Sequence, residues 1–194
     1  VFRTNLAIDQ KLPWDLVATI EGIYTKDINT IFHRNANLKE PIGIVEGDGR
    51  PRFGITDNDR RINPTVTNAI VLDNTSQGYQ WSLTGQVQKI FTPNFQVSIA
   101  YNYGDARDIT SSPSAVAATA FAGNQIVGNP NDPVLSYTNF LQRHRVIGSL
   151  TYRKEYAKYF ATSITLFYEA RSGRHFSYAY GNDLNSDGMT GNDL

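Results

Sequence analysis

Two consecutive stretches of this chain alternate polar and apolar residues so regularly that they constrain the fold more than any other feature. From Tyr79 to Gln88, every odd position is aromatic, aliphatic or glycine, and every even position is Gln, Ser or Thr. The same period of two runs from Phe95 to Tyr103. Successive side chains of a β-strand point to opposite faces, so each stretch is predicted to be a strand with one apolar and one polar face.

The length of these strands and the break between them indicate a particular kind of sheet. A short polar segment at residues 92–94, containing Pro93, separates the two stretches and predicts that they pair as a hairpin. A strand of about ten residues, at roughly 3.4 Å per residue and a tilt of about 45°, rises roughly 25 Å. That rise matches the apolar band of an outer-membrane barrel, whereas a soluble strand usually has about 5–6 residues.

The same pattern elsewhere predicts an all-β fold in which about six long strands follow one another as an antiparallel meander. The expected strands are 2–12, 16 to about 32, 69 to about 90 with a kink at 74–78, 95 to about 104, 144–153, and 160 to about 180. Short turns are expected near 13–15, 92–94 and 154–159, and long external loops near 35–67, 105–142 and 181–194. Residues 114–123 are compatible with a short helix or a plain loop.

The alternation of short and long connections favours a membrane barrel. Loops longer than about 12–15 residues are uncommon in compact soluble domains, but outer-membrane barrels combine short periplasmic turns with long external loops. Trp14, beside the first turn, is then expected in the aromatic girdle. The side chains predicted to face lipid are Leu83, Val87, Val97, Ile99, Leu150, Ile164 and Leu166, and those predicted to face a wet lumen are Gln86, Ser98, Thr151 and Thr165. A soluble β-sandwich, whose apolar face is an ordinary core, is the alternative.

Composition and motifs exclude several function classes. Lys plus Arg equals Asp plus Glu at 18 each, so no net field attracts nucleic acid. No run approaches about 18 consecutive apolar residues, so no transmembrane helix is predicted. The chain has no cysteine, and its three histidines lack the spacing of a zinc site. Neither a nucleophile elbow nor a phosphate loop is present, so the chain is not predicted to be an enzyme.

The C-terminal residues contain the best-defined candidate site. Asp183, Asn185 and Asp187 occupy positions 1, 3 and 5 of an EF-hand-like loop, with Gly188 at position 6 for the sharp turn. We predict a Ca²⁺ ion held by these residues, completed by the Met189 carbonyl and by Asn192 or Asp193, on the external side of the barrel. Position 12 is Leu194 rather than Glu, and a solvated Asx-rich turn is the alternative.

A second polar loop, Glu46–Arg52, mixes carboxylates with arginines. This composition is compatible with ligand binding at the mouth of a barrel. It is more typical of an inter-loop network of salt bridges, which is the favoured interpretation of these residues.

Several runs, in order along nearly the whole chain, resemble the barrel of TonB-dependent outer-membrane receptors. The similarity is closest to the large Oar-like group that has an N-terminal carboxypeptidase-regulatory-like domain. It rests on the runs Asn5–Trp14, Ile20–Asn29, Asn74–Tyr79, Ala100–Asp108, His144–Val146, Ser172–Arg174 and Gly181–Gly188.

The resemblance implies a 22-stranded transmembrane β-barrel in the bacterial outer membrane, with a plug inside it and an inner-membrane TonB complex as energy source. We therefore expect residues 1–194 to be a partial barrel domain, a piece of a longer protein that binds and imports a nutrient. The expected partners are membrane lipid and lipopolysaccharide, the TonB complex through other parts of the protein, and a nutrient that the sequence does not identify. A soluble or surface-exposed β-domain that binds glycan or protein is the alternative function.

Overall fold

The computed structural model describes residues 1–111, 114–157 and 159–194. Ser112 and Pro113 of the predicted loop 105–142, and Lys158 of the predicted turn 154–159, lie outside the described residues. The chain forms two units: unit 1 comprises Val1–Lys26, Tyr79–Ala106 and Phe140–Arg174, and unit 2 comprises Asp27–Gly78, Arg107–Asn139 and His175–Leu194.

Eleven strands, one short helix and one 3₁₀ turn are present in the described residues. The strands are β1 (Phe2–Leu12), β2 (Leu16–Lys26), β3 (Thr30–Asn35), β4 (Gly43–Ile44), β5 (Pro51–Arg52), β6 (Ile70–Thr75), β7 (Tyr79–Thr92), β8 (Phe95–Asp108), β9 (Ser136–Tyr137), β10 (His144–Ala157) and β11 (Phe160–Arg171). The helix α1 is Ala117–Ala122, and the 3₁₀ turn is Pro13–Asp15. Among the described residues, no helix has the length and apolar character needed to cross a membrane.

Unit 1 is built on one sheet with the strand order β1-β2-β7-β8-β10-β11. Strands that follow one another in unit 1 are therefore neighbours in the sheet, and the pairings β1–β2, β2–β7, β8–β10 and β10–β11 are antiparallel. The all-β class and the antiparallel meander of six long strands are confirmed. A tight turn favours pairing of the two strands that it joins. Only two residues separate β7 from β8, for example.

The apolar face of this sheet is more exposed than its polar face, which is the reverse of the arrangement in a soluble protein. Six of the seven side chains predicted to face lipid are exposed, for example Ile99 at 57% and Leu166 at 67%, and Val97 is half-buried. On the other face, Gln86, Ser98 and Thr151 are half-buried and Thr165, on the last strand of the sheet, is exposed. Unit 1 therefore does not enclose its apolar face between two sheets, as the soluble β-sandwich requires.

Unit 2 has little regular structure. β3 pairs with β6, β4 pairs with β5, and β9 pairs with the last two residues of β8. Its buried apolar residues are Leu38, Phe53, Ile109, Ala120, Phe121, Ile126 and Met189. An equal number of polar residues is buried with them, namely Asn35, Asn37, Arg50, Asn185, Asp187, Asn192 and Asp193. Since buried polar groups need partners, side-chain hydrogen bonds decide how unit 2 folds.

The second predicted strand, 16 to about 32, is wrong as a single element. β2 ends at Lys26, and β3 begins at Thr30 in another sheet. The predicted kink at 74–78 in the third strand is confirmed, because β6 ends at Thr75 and β7 begins at Tyr79. Gly78 has φ 112°, and a Cβ there would lie within 2.4 Å of Asp27 Oδ2. The positive φ requires glycine and interrupts the extended backbone at that point.

Three predicted strand ends also need correction. The sixth strand stops at Arg171 rather than near 180, because its partner β10 begins at His144, whose carbonyl accepts the Ser172 amide (2.9 Å). The fourth strand runs to Asp108, since β9 pairs with its end. The fifth strand runs to Ala157, so most of the predicted turn 154–159 is strand. Of the two interpretations left open for residues 114–123, the short helix is present as α1.

Candidate metal site

The C-terminal loop of unit 2, residues 183–193, turns its polar side chains inward. Asn185 and Asp193 are fully buried, and Asp187 is 1% exposed. Asp183 is half-buried. The solvated turn that the sequence left as an alternative does not describe Asn185, Asp187 and Asp193, because these three side chains are removed from water.

Hydrogen bonds within the loop bend it around its own side chains. The Asp187 amide donates to Asp183 Oδ1 (3.0 Å) and Asn185 Oδ1 (2.9 Å), and the Gly188 amide donates to Asp183 Oδ2 (2.8 Å). The Met189 amide in turn donates to Asp187 Oδ1 (2.7 Å). The side chains at positions 1, 3 and 5 are thus brought together, as the EF-hand-like spacing predicts.

Gly188 allows this bend. Its φ is 92°, and a Cβ there would come within 2.5 Å of Arg60 Nε. The backbone conformation therefore favours glycine at position 6, and any side chain there would also have to displace the end of the Arg60 side chain.

The G188A variant is expected to destabilise the loop by about 1–3 kcal/mol, because alanine would take a left-handed conformation and displace Arg60. Gly191 is the matched control, since its φ is 82° but nothing lies within 4 Å of a Cβ there. Hydrogen exchange at the Met189 amide measures both effects. Equal losses in G188A and G191A would mean that contact with Arg60 is not a constraint.

Asp193 is held by a residue that is distant in sequence. Arg50 Nη1 lies 3.2 Å from Asp193 Oδ1, and both side chains are almost fully buried. Asp193 Oδ2 accepts the Leu184 amide (2.8 Å). The guanidinium also pairs with Asp48 and donates to the Leu194 carbonyl. Asp193 therefore already has a cationic partner, which makes it a weaker candidate ligand than the sequence suggested.

The charge of the site is only partly balanced. Burial is the largest cause that raises the pKa of Asp187, hydrogen bonds from Asn192 and the Met189 amide oppose it, nearby Asp183 and Asp193 add to the increase, and the resulting pKa is about 6. At neutral pH the carboxylate is mostly ionised, so unit 2 buries negative charge beside two other carboxylates.

The ligand set cannot consist of carboxylates alone. The described part of the chain contains no group of three or more His, Cys, Asp or Glu side chains placed to hold a metal ion. A metal in this loop would therefore need amide and carbonyl oxygens as well as carboxylates. Calcium accepts all three.

Asn192 supplies such an amide oxygen. It is one of the two residues, with Asp193, that the sequence predicts as the last ligand of the Ca²⁺ ion. The side chain is 1% exposed, and its Nδ2 donates to Asp187 Oδ2 (2.8 Å). Its Oδ1 is buried and has no hydrogen-bond partner in the described structure. Sequence reasoning could not choose between Asn192 and Asp193, because the choice depends on where Arg50 lies.

Two other features of unit 2 were missed or left open. Arg50, within the polar loop Glu46–Arg52, makes salt bridges with Asp48 and Asp193, so the inter-loop network is confirmed for this residue. Asn35 is a second buried polar residue that joins separate segments. Its Oδ1 accepts hydrogen bonds from the backbone amides of Asn37 (3.0 Å) and Ala69 (3.1 Å). The abundance of Asn in the long loops was the available signal, but it does not say which residues are buried.

A cavity of about 400 Å³ lies elsewhere in unit 2, with Ile109, Ile126, Tyr137 and His175 among its lining residues. The rings of Tyr137 and His175 stack at 4.7 Å with an angle of 13°. The volume falls in the range of small-molecule sites.

Comparisons of this chain with protein-family models, curated proteins and solved structures find no match.

Proposed function

We propose that this chain is part of a TonB-dependent transporter of the bacterial outer membrane, which binds and imports a nutrient. The observation that carries the proposal is the exposed apolar face of unit 1 combined with a half-buried polar face. The family and the transport activity come from the sequence resemblance, and the sheet supports the membrane part of the proposal.

The apolar side chains form continuous rows across the strands. Leu150 of β10 lies opposite Val97 of β8 and Leu166 of β11. On the neighbouring pair, Ile20 of β2 lies opposite Ile8 of β1. Monomeric soluble proteins rarely expose contiguous apolar patches larger than a few hundred Å², but a barrel surface requires such a band where it meets lipid.

The opposite face is polar and internally hydrogen-bonded. Thr151 and Thr165 are joined at 3.1 Å, and Asn102 Nδ2 donates to Thr84 Oγ1 (2.8 Å). Arg145 pairs with Glu169 at 2.9 Å. A face of this composition suits a water-filled lumen or contact with a plug, because polar groups on it are paired with one another.

Aromatic residues collect where unit 1 makes its short turns. Trp14 in the first turn is 80% exposed, Phe91 and Phe95 flank the second with ring centroids 5.3 Å apart, and Tyr159 and Phe160 are exposed at the third. Amphipathic and aromatic rings favour the boundary between lipid and water. This distribution supports assigning the short turns to the periplasmic rim.

Unit 2 is the proposed nutrient-binding part. It contains most of the predicted loops 35–67, 105–142 and 181–194, and it holds the cavity of about 400 Å³. Binding residues are often carried by loops on a rigid scaffold, and the long external loops of a barrel are placed to meet solutes.

The test is to extract the intact protein from its native membranes. A transmembrane sheet requires detergent, whereas a soluble or surface β-domain that binds glycan or protein is released by alkaline carbonate. Release without detergent would favour that alternative.

Trp14 offers a residue-level version of this test. In a variant of the intact protein in which Trp81 and any tryptophan outside residues 1–194 are replaced with Phe, reconstituted into vesicles, the Trp14 fluorescence is expected to be quenched more by bromine near the headgroups than by bromine deep in the acyl chains. The reason is that an interfacial indole lies at headgroup depth. The W14F variant, which retains Trp81, is the control for quenching at another site. Water-like Trp14 emission that no brominated lipid alters would contradict the girdle assignment.

A further inference from the structure

We propose that residues 183–193 bind one Ca²⁺ ion, with side-chain oxygens of Asp183, Asn185, Asp187 and Asn192 as ligands, and that the ion holds together separate segments of unit 2. The inference concerns unit 2 alone and does not depend on the membrane assignment of unit 1.

The unpartnered oxygen of Asn192 is the observation that distinguishes a metal site from a turn made only of hydrogen bonds. A buried amide oxygen without a donor is unfavourable, because it has lost its hydrogen bonds to water and gained none in return. Its orientation follows from its own hydrogen bond, because Nδ2 must be the atom that donates to the Asp187 carboxylate. The remaining Oδ1 belongs to the amide group that contacts the Asp187 carboxylate. A cation bound beside that carboxylate would provide the partner that Oδ1 lacks.

The charge around Asn192 requires a cation rather than a neutral partner. Asp183, Asp187 and Asp193 lie near one another, and Asp187 is 1% exposed. Among them, Arg50 contacts Asp193 at 3.2 Å. A buried carboxylate without a counter-charge is strongly unfavourable, and a divalent ion would compensate both Asp183 and Asp187.

Calcium is the divalent ion that suits these ligands. It takes six to eight oxygens from carboxylates, amides and carbonyls in flexible geometry. Magnesium demands a near-ideal octahedron of shorter bonds, and zinc prefers nitrogen and sulfur ligands. The loop supplies oxygens at positions 1, 3 and 5 and the turn glycine at position 6, as calcium loops do.

Backbone hydrogen bonds join this loop to distant segments of unit 2. The Phe53 amide donates to the Asn185 carbonyl (2.9 Å), and the Ile126 amide donates to the Asn192 carbonyl (2.8 Å). The Tyr180 amide donates to the Asp193 carbonyl (2.8 Å). An ion that fixes Asn185 and Asn192 would therefore also fix the segments around residues 53 and 126. Removing the ion is expected to loosen all of them together.

The experiment is a titration of the intact, EGTA-treated protein in detergent with CaCl₂ and, separately, MgCl₂, followed by calorimetry and limited proteolysis. One Ca²⁺ per chain is expected, with binding at least about tenfold tighter than Mg²⁺ and with protection of residues 172–194 from protease. The D187N variant should lose at least about tenfold in calcium affinity, and N182A, whose side chain is exposed, should retain wild-type affinity. Absence of stoichiometric calcium binding, equal affinity for Mg²⁺, or unchanged affinity in D187N would overturn the proposal.

The N192D variant gives a result that does not depend on D187N folding. In EGTA it should be less stable than the wild type, because a fourth carboxylate replaces a hydrogen-bond donor to Asp187. In calcium it should regain wild-type stability and bind the ion more tightly, because the new oxygen is charged. Equal destabilisation in EGTA and in calcium would mean that Asn192 does not face a metal.

Discussion

Replacing Arg50 with methionine is expected to destabilise unit 2 by about 3–5 kcal/mol, the usual cost of removing one partner from a buried ion pair. The Asp193 carboxylate is fully buried, and without Arg50 it retains only the Leu184 amide among the hydrogen bonds described here. Methionine preserves most of the volume, so the loss reports charge and hydrogen bonding rather than a cavity. Native-state hydrogen exchange at the amides of Leu184 and Leu194, measured in EGTA, gives the free energy of local unfolding.

The R34A variant is the matched control. Arg34 and Asp73 are 3.7 Å apart, but both side chains are about half exposed. Water screens such a pair, so its loss should cost about 0–1 kcal/mol. If R50M and R34A proved equally mild, the buried pair would not be a determinant of unit 2 stability.

Placing arginine at Ile99 is expected to lower the stability of the membrane-inserted protein by about 2–4 kcal/mol, because this side chain is assigned to the lipid face near the middle of β8. Ile99 is exposed in unit 1, so the arginine meets no steric obstacle there. The penalty comes from charge in hydrocarbon. Equilibrium unfolding of the intact protein from phospholipid vesicles by guanidinium measures it.

The S98R variant is the matched control, because it places arginine at about the same depth as I99R but on the opposite face of the sheet. Ser98 is adjacent to Ile99 on β8 and belongs to the polar face. An arginine there is expected to cost much less, since a wet lumen hydrates it. In a soluble domain that leaves both faces of this sheet in water, each substitution would change stability by less than about 0.5 kcal/mol. Small and equal effects would therefore contradict the membrane proposal.

The strands of unit 1 were predictable because their signal is local. β1 has the predicted bounds, and the β7–β8 hairpin follows from a period of two on both sides of a proline turn. The pairing of strands joined by tight turns followed from those short connections, and the pairing of β2 with β7 and of β8 with β10 across long loops followed from the meander. The ends of β2 and β11 were not predictable, because an extended strand stops where its partner stops, and the partner is remote in sequence.

In the candidate site, the spacing of Asp183, Asn185, Asp187 and Gly188 predicted a turn with converging oxygens, and the structure brings those residues together. The spacing could not show that the loop is buried or that Asp193 is paired with Arg50, 143 residues away. It also could not show that Asn192 has the unpartnered oxygen. Each of these depends on which segments pack around the loop.

The sequence by itself determined the period-two faces, the meander and the turn chemistry of residues 183–188, because each follows from backbone geometry within a few residues. Only the tertiary structure decided which polar side chains are buried and which carboxylate has a counter-charge. Burial and charge pairing arise when distant segments exclude water from a common point. No local window of sequence contains the residues from both segments.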